Sequence, residues 1–166
     1  WVGYALMWLG LLVYVRLVKP ALELRKPYEV VDVVPQGADV WTLALRPKGH
    51  TGLRFQPGQF AWLTIGASPF SDQEHPFSIA SSASRPERLE FTIKSLGDFT
   101  ATIPELKPGV KVYLDGPHGA FTIDRYGRDE GFVFLAGGIG FTPIMSMLRT
   151  MADRRDLRPA LLLYAN

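Results

Sequence analysis

From Tyr28 onward the sequence breaks into short runs of alternating character separated by turn residues, and this pattern constrains the fold more than any other feature. Successive side chains of a strand point to opposite faces, so a period of two marks a half-buried strand. "YEVVDVVPQGADVWTLALRP" reads as two such strands joined by a turn at Pro35 to Ala38, and "FQPGQFAWLTI" as a Pro-Gly turn feeding a third. A fourth begins at His75. "RLEFTIKS" sets Leu89, Phe91 and Ile93 on one face, and "VKVYLDGP" supplies a sixth strand before another turn. Six short strands of this kind predict an all-β, closed antiparallel barrel. Between the fifth and sixth, "GDFTATIPEL" has a helical pattern whose start Asp98 or Thr100 can cap.

The grammar changes at Gly131. "FVFLAGGIGFTPIMSMLRTMADRRD" followed by "RPALLLYAN" is an apolar run, a glycine turn, an amphipathic helix and a second apolar run. That order predicts a parallel β-α-β unit. One such unit cannot cover both faces of a sheet, so the second domain is expected to be only partial within this sequence. The expected organisation is an N-terminal helix over 1–19, a barrel over 20–127 and part of an α/β domain over 128–166, with "RYGRDE" (125–130) as the linker.

"WVGYALMWLGLLVYV" carries no charge before Arg16, and the start at Trp1 reads as a cut one. A helix of about 18 residues is roughly 27 Å long, close to the thickness of a bilayer's hydrocarbon core. Trp1, Tyr4, Trp8 and Tyr14 add interfacial aromatics, while Arg16, Lys19, Arg25 and Lys26 follow the apolar stretch, the reverse of a secretory signal. The reading is a transmembrane helix with everything after Lys19 on the cytoplasmic side; a buried or surface-lying helix is the alternative. The balance of 18 basic against 16 acidic residues, a net charge of +2, leaves no nucleic-acid footprint. His50, His75 and His118 are too far apart in sequence for a helical metal motif, and with no cysteine there is neither a disulfide nor a thiolate site.

Four stretches can carry chemistry. "EHPFSIASS" is either a barrel strand with a stiff start or a platform for a flat polar ligand, with Phe77, Ile79 and Ser81 expected on one face and Ser78, Ala80 and Ser82 on the other. "IKSLGDFT" offers Lys94, Gly97, Thr100 and the amides of a helix start as an anion cradle, or else a solvated lysine and an ordinary cap. "DGPHGAF" reads in isolation as a hairpin loop. "LAGGIGFTP" places Gly137, Gly138 and Gly140 between a buried strand and a helix, where backbone amides and the helix dipole favour a phosphate, although a tight turn is also consistent.

In this order, "HPFS", "IKSLGDFT", "DGPHGAF" and "AGGIGFTP" resemble the ferredoxin–NADP reductase superfamily, and within it the branch of membrane ferric reductases and NADPH oxidases. The resemblance runs from about residue 26 to 166. It implies an FAD-binding barrel followed by the start of a Rossmann-like NAD(P)-binding domain. His75, Pro76, Phe77 and Ser78 match the branch's flavin motif, which implies that Phe77 lies against the isoalloxazine and that Ser78, the candidate catalytic residue, donates toward its N5 region. Lys94, Gly97 and Thr100 match the segment that takes the FAD pyrophosphate. Gly137, Gly138, Gly140, Thr142 and Pro143 match the nicotinamide-dinucleotide loop, and Pro57, Gly58 and Gln59 a structural turn. His75 stands where soluble relatives carry arginine, so its charge depends on pH and a looser grip on FAD is expected.

The resemblance implies a flavoprotein oxidoreductase passing electrons from NADPH or NADH through FAD to a membrane haem domain and on to ferric iron or oxygen, with the haem lying outside these residues. Two alternatives remain: an NAD(P)H-dependent reductase serving a separate oxygenase or iron–sulfur partner, and a non-catalytic flavin-binding remnant.

Overall fold

The computed structural model describes residues 1–37, 39–127 and 131–165. Ala38 and 128–130, which include one end of the expected first turn and half of the expected linker, lie outside them.

Six antiparallel strands form one sheet: β1 Tyr28–Gly37, β2 Val40–Pro47, β3 Phe60–Ile65, β4 His75–Ser78, β5 Leu89–Lys94 and β6 Lys111–His118. Their spatial order is β4-β3-β6-β1-β2-β5. The two outer strands approach each other through a bridge between Ile79 and Phe91 and a bond from Ala80 N to Glu90 O (2.7 Å), which brings the sheet round into a barrel. Alternation worked as expected in β5, where Leu89, Phe91 and Ile93 are all buried. They pack with Val30, Leu43, Leu45, Leu63 and Val112 into the barrel core. Each such side chain contributes roughly 1.5–3 kcal/mol of transfer free energy.

Three local expectations change. β1 runs past Pro35 to Gly37, with Pro35 opposite Trp41 and Gly37 opposite Val40. Beyond Glu29 its other side has no partner in β6, so Pro35 removes no ladder bond there. "DGPH" is the end of β6 rather than a loop, since Asp115 pairs with Trp62 and His118 with Phe60. The helical stretch after β5 is only α2, Asp98–Ala101, followed by a tight turn at Ile103–Glu105. The β-branched Thr100, Thr102 and Ile103 weaken a longer helix, and Pro104 disfavours helical geometry at the residue before it.

The parallel unit comprises β7 Phe132–Gly137, a tight turn at Gly138–Phe141, α3 Thr142–Arg154 and β8 Ala160–Ala165. β7 and β8 pair in parallel from Phe132–Ala160 to Gly137–Ala165. Pro143 suits the first turn of α3, and Arg155, at a left-handed φ of 55°, ends it. Ile144, Met147 and Met151 join Phe134 and Ile123 in a second core.

The barrel and α3 are joined by a polar seam. Ser146 Oγ donates to Ser81 O (2.7 Å), Ala83 N donates to Thr150 Oγ1 (2.9 Å), and Arg149 reaches both Ala80 O (3.0 Å) and Glu90 (2.8 Å). This seam explains why the expected alternation after β4 fails: Ile79, Ala80, Ser81 and Ser82 are all buried. Ahead of the barrel, α1 covers Val2–Glu23, with a wider turn at Tyr14–Val18. It is long and apolar enough to cross a membrane, and residues 1–18 are all exposed.

Candidate flavin site

The "QPGQ" turn fixes the approach between barrel and α3. Gly58 has φ of +97°, and a Cβ there would lie 2.3 Å from both Phe121 O and the Met147 Cε methyl. Gln59 accepts from Gln56 N through Oε1 (2.7 Å) and donates from Nε2 to Gly119 O (2.9 Å). Beside this seam, where β4 and β5 face the start of α3, a cavity of ≈ 380 Å³ opens.

That cavity gathers much of what the sequence singled out. Pro76, Phe77 and Ser78 come from β4, Lys94 from the end of β5 and Thr100 from α2. Gly140, Thr142 and Pro143 face them from the glycine turn and α3. A second cavity of ≈ 450 Å³ shares Thr92, Lys94, Ile139 and Thr142 with the first and adds Gly138. Gly137 lies apart, in a shallow depression at the ends of β7 and β8. Gly97 and His75 line neither cavity.

Each residue has a local reason for its place. Phe77 leans on the edge of the barrel core while still lining the cavity. The Thr100 hydroxyl accepts from the amides of Leu96 (2.9 Å) and Gly97 (3.0 Å), so it shapes the turn rather than offering a free donor. The first-turn amides of α2 have no acceptor within the helix, and Lys94 has no ion pair among the described residues. Thr142 Oγ1 donates to Ile139 O (2.8 Å), which ties the glycine turn to the head of α3. Gly138 takes φ of +49° in that turn.

Phe99 is the residue the sequence reading passed over, although it sits inside "GDFT". Its ring stacks on His75 at 3.6 Å between centroids and 6° between planes, and lies 6.2 Å from Phe77. His75 Nδ1 is buried with no hydrogen-bond partner among the described residues. Only the fold brings these three rings together, so the visible signal was the aromatic next to a proposed cradle.

The arrangement fits a flavin dinucleotide: an aromatic wall and the Ser78 hydroxyl, without a hydrogen-bond partner among the described residues, beside a cation and a helix start, in two adjoining cavities within the size range of cofactor sites. The comparisons agree. Residues 25–122 match the family described as "FAD-binding domain", and the chain belongs to that family. The chain is 34% identical over 148 residues to the reductase component of propane 2-monooxygenase from Mycolicibacterium smegmatis, covering 87% of this chain and 41% of that protein. It is 40% identical over 118 residues to methane monooxygenase component C from Methylosinus trichosporium, covering 68% and 32% respectively. The chain therefore spans well under half the length of these curated relatives.

Among solved structures, the ferredoxin reductase in carbazole 1,9a-dioxygenase is 27% identical with a TM-score of 0.71, covering 84% of this chain and 41% of that one. Phthalate dioxygenase reductase, at 22% identity, shares the fold with a TM-score of 0.71 over 83% of this chain and 42% of its own. The superfamily expected from the four motifs is thus the right one. The relatives named here are reductase components of oxygenases, not members of the ferric reductase and NADPH oxidase branch.

Proposed function

We propose that this chain is the flavin-binding part of a membrane-anchored NAD(P)H-dependent reductase whose electrons go to a separate iron–sulfur or oxygenase partner. The observation that carries this reading is the convergence of Phe77, Ser78 and Lys94 from the barrel with Gly140 and Thr142 from the parallel unit around one cavity. The names of the monooxygenase reductases at 34% and 40% identity support the partner class.

In this reading FAD, when bound, supplies the exchange between a nicotinamide hydride and single electrons. The chain's own residues bind and orient. Phe77 lies against the flat ring, and Ser78 Oγ–H donates a hydrogen bond to a ring heteroatom. Lys94 and the first-turn amides of α2, shaped by Thr100, face the pyrophosphate. Gly97 lets the chain turn into that helix. His75, held flat against Phe99, backs the aromatic wall that Phe77 presents, with Pro76 fixing the backbone between His75 and Phe77. The turn from Gly137 to Gly140, pinned by Thr142 and Pro143, presents amides and the α3 dipole to the phosphates of NADH or NADPH. Hydride transfer needs reacting atoms within roughly 3–3.5 Å, so the stiffness of the seam serves the chemistry. α1 anchors the module, with the barrel on the cytoplasmic side.

A membrane haem domain as acceptor is the second reading, favoured by α1 and by histidine at position 75. Anaerobic photoreduction of the FAD-loaded protein, followed by mixing with an oxidised [2Fe–2S] ferredoxin, separates the two. Reoxidation of the flavin with matching reduction of the cluster is expected. Flavin that stays reduced would favour the haem reading.

A further inference from the structure

Where α1 meets the barrel, a cavity of ≈ 620 Å³ lies on the far side of Asp115 and Gly116 of β6. Tyr14 and Lys19 of α1 form one wall, and the chain from His50 to Arg54 forms the other. Four cationic side chains line it, Lys19, Arg25, Lys26 and Arg54, against two carboxylates, Glu23 and Asp115. Lys19 is committed to those carboxylates, at 2.7 Å from Asp115 and 3.9 Å from Glu23, and to Glu74 at 3.9 Å. Arg25, Lys26 and Arg54 have no ion pair among the described residues. His50 is spent on structure, with Nε2 2.9 Å from Pro27 O and Nδ1 accepting from Gly52 N (3.2 Å). Three cations without an ion-pair partner among the described residues therefore line one concave space.

The position of that space identifies its occupant. Residues 1–18 are all exposed, so a bilayer around them would end between Arg16 and Lys19, where the charges begin. Arg16 is itself paired with Asp72 of the loop between β3 and β4 (2.5 Å), which places that loop beside the end of the helix. A cavity with Tyr14 in its wall then opens at headgroup depth. Arginine forks match phosphate oxygens in pairs, lysine adds a point charge, and basic residues just beyond a span are drawn to anionic leaflets.

We propose that this cavity binds the phosphate of an anionic phospholipid, through Arg25, Lys26 and Arg54, and so sets the barrel's orientation on the membrane. The proposal rests on α1 spanning the bilayer. It is tested by native mass spectrometry of the chain released from bilayers holding equal amounts of phosphatidylglycerol and phosphatidylcholine. Retained phosphatidylglycerol should exceed phosphatidylcholine, and Arg54→Gln and Lys26→Gln should each reduce that retention by about fivefold. Lys107→Gln, an exposed change outside the cavity, should not. Equal retention of the two lipids, or equal losses in all three variants, would overturn the proposal. Inorganic phosphate bound by the chain as tightly as phosphatidylglycerol would also overturn it, by making a free anion the ligand. Flotation with pure phosphatidylcholine vesicles distinguishes the failures: a chain that does not float refutes both the span and this site, whereas one that floats without lipid preference refutes the site alone.

Discussion

Phe77 answers to two demands, packing against the barrel core and walling the cavity beside Ser78 and Lys94. Replacing it with alanine is expected to weaken FAD binding by roughly 1–3 kcal/mol, the range for losing an aromatic stack on a flat heterocycle. Fluorescence titration measures this, and an unchanged affinity would leave Phe77 as packing alone. Phe77, Ser78, Lys94 and Thr100 could be expected together from sequence because each lies in a short motif and the motifs come in a fixed order, and one cavity collects them, whereas His75 stays outside it. The stacking of Phe99 on His75 was not, because a ring contact between residues 24 positions apart depends on how β4 and α2 meet. Nor was the use of the Thr142 hydroxyl, which folds back on its own turn, whereas Thr100 closes the helix start much as the cap the sequence offered.

At the scale of elements, α3 holds the site together by its contacts with the barrel. Arg85 bonds Asp153 through two nitrogens (2.8 and 2.6 Å), and this pairing holds the Asp153 carboxyl below the usual carboxylate range. A carboxylate depressed in the folded state stabilises fully above its unfolded pKa of about 3.9, and that contribution is lost as pH falls through the folded value. Thermal melts from about pH 5 down to pH 2 should therefore fall less steeply in Arg85→Gln than in the native chain. Parallel curves would remove this pair from the seam's stability. Strands β2, β5 and the β-α-β unit followed from sequence because hydrophobic period and glycine placement act locally. The burial of Ile79 to Ser82 did not, because α3, some 60 residues later, covers a segment whose own pattern says that one side faces water.

Over the whole molecule, an exposed apolar helix of 22 residues is attached to a flavin barrel whose seam with α3 creates the site. Removal of residues 1–18 should leave a barrel that stays monomeric without detergent, while the native chain requires it; size-exclusion chromatography in buffer distinguishes these outcomes, and a native chain monomeric in plain buffer would speak against the span. The proposed function rests on the cavity between β4, β5 and α3. Its most direct measurement is a paired titration of the chain with FAD and FMN, repeated with Lys94→Gln. FAD is expected to bind at least about tenfold more tightly than FMN, the equivalent of one charge-assisted hydrogen bond to the pyrophosphate, with that preference lost in the variant. Equal affinity for the two flavins, or a preference untouched by the loss of Lys94, would contradict it.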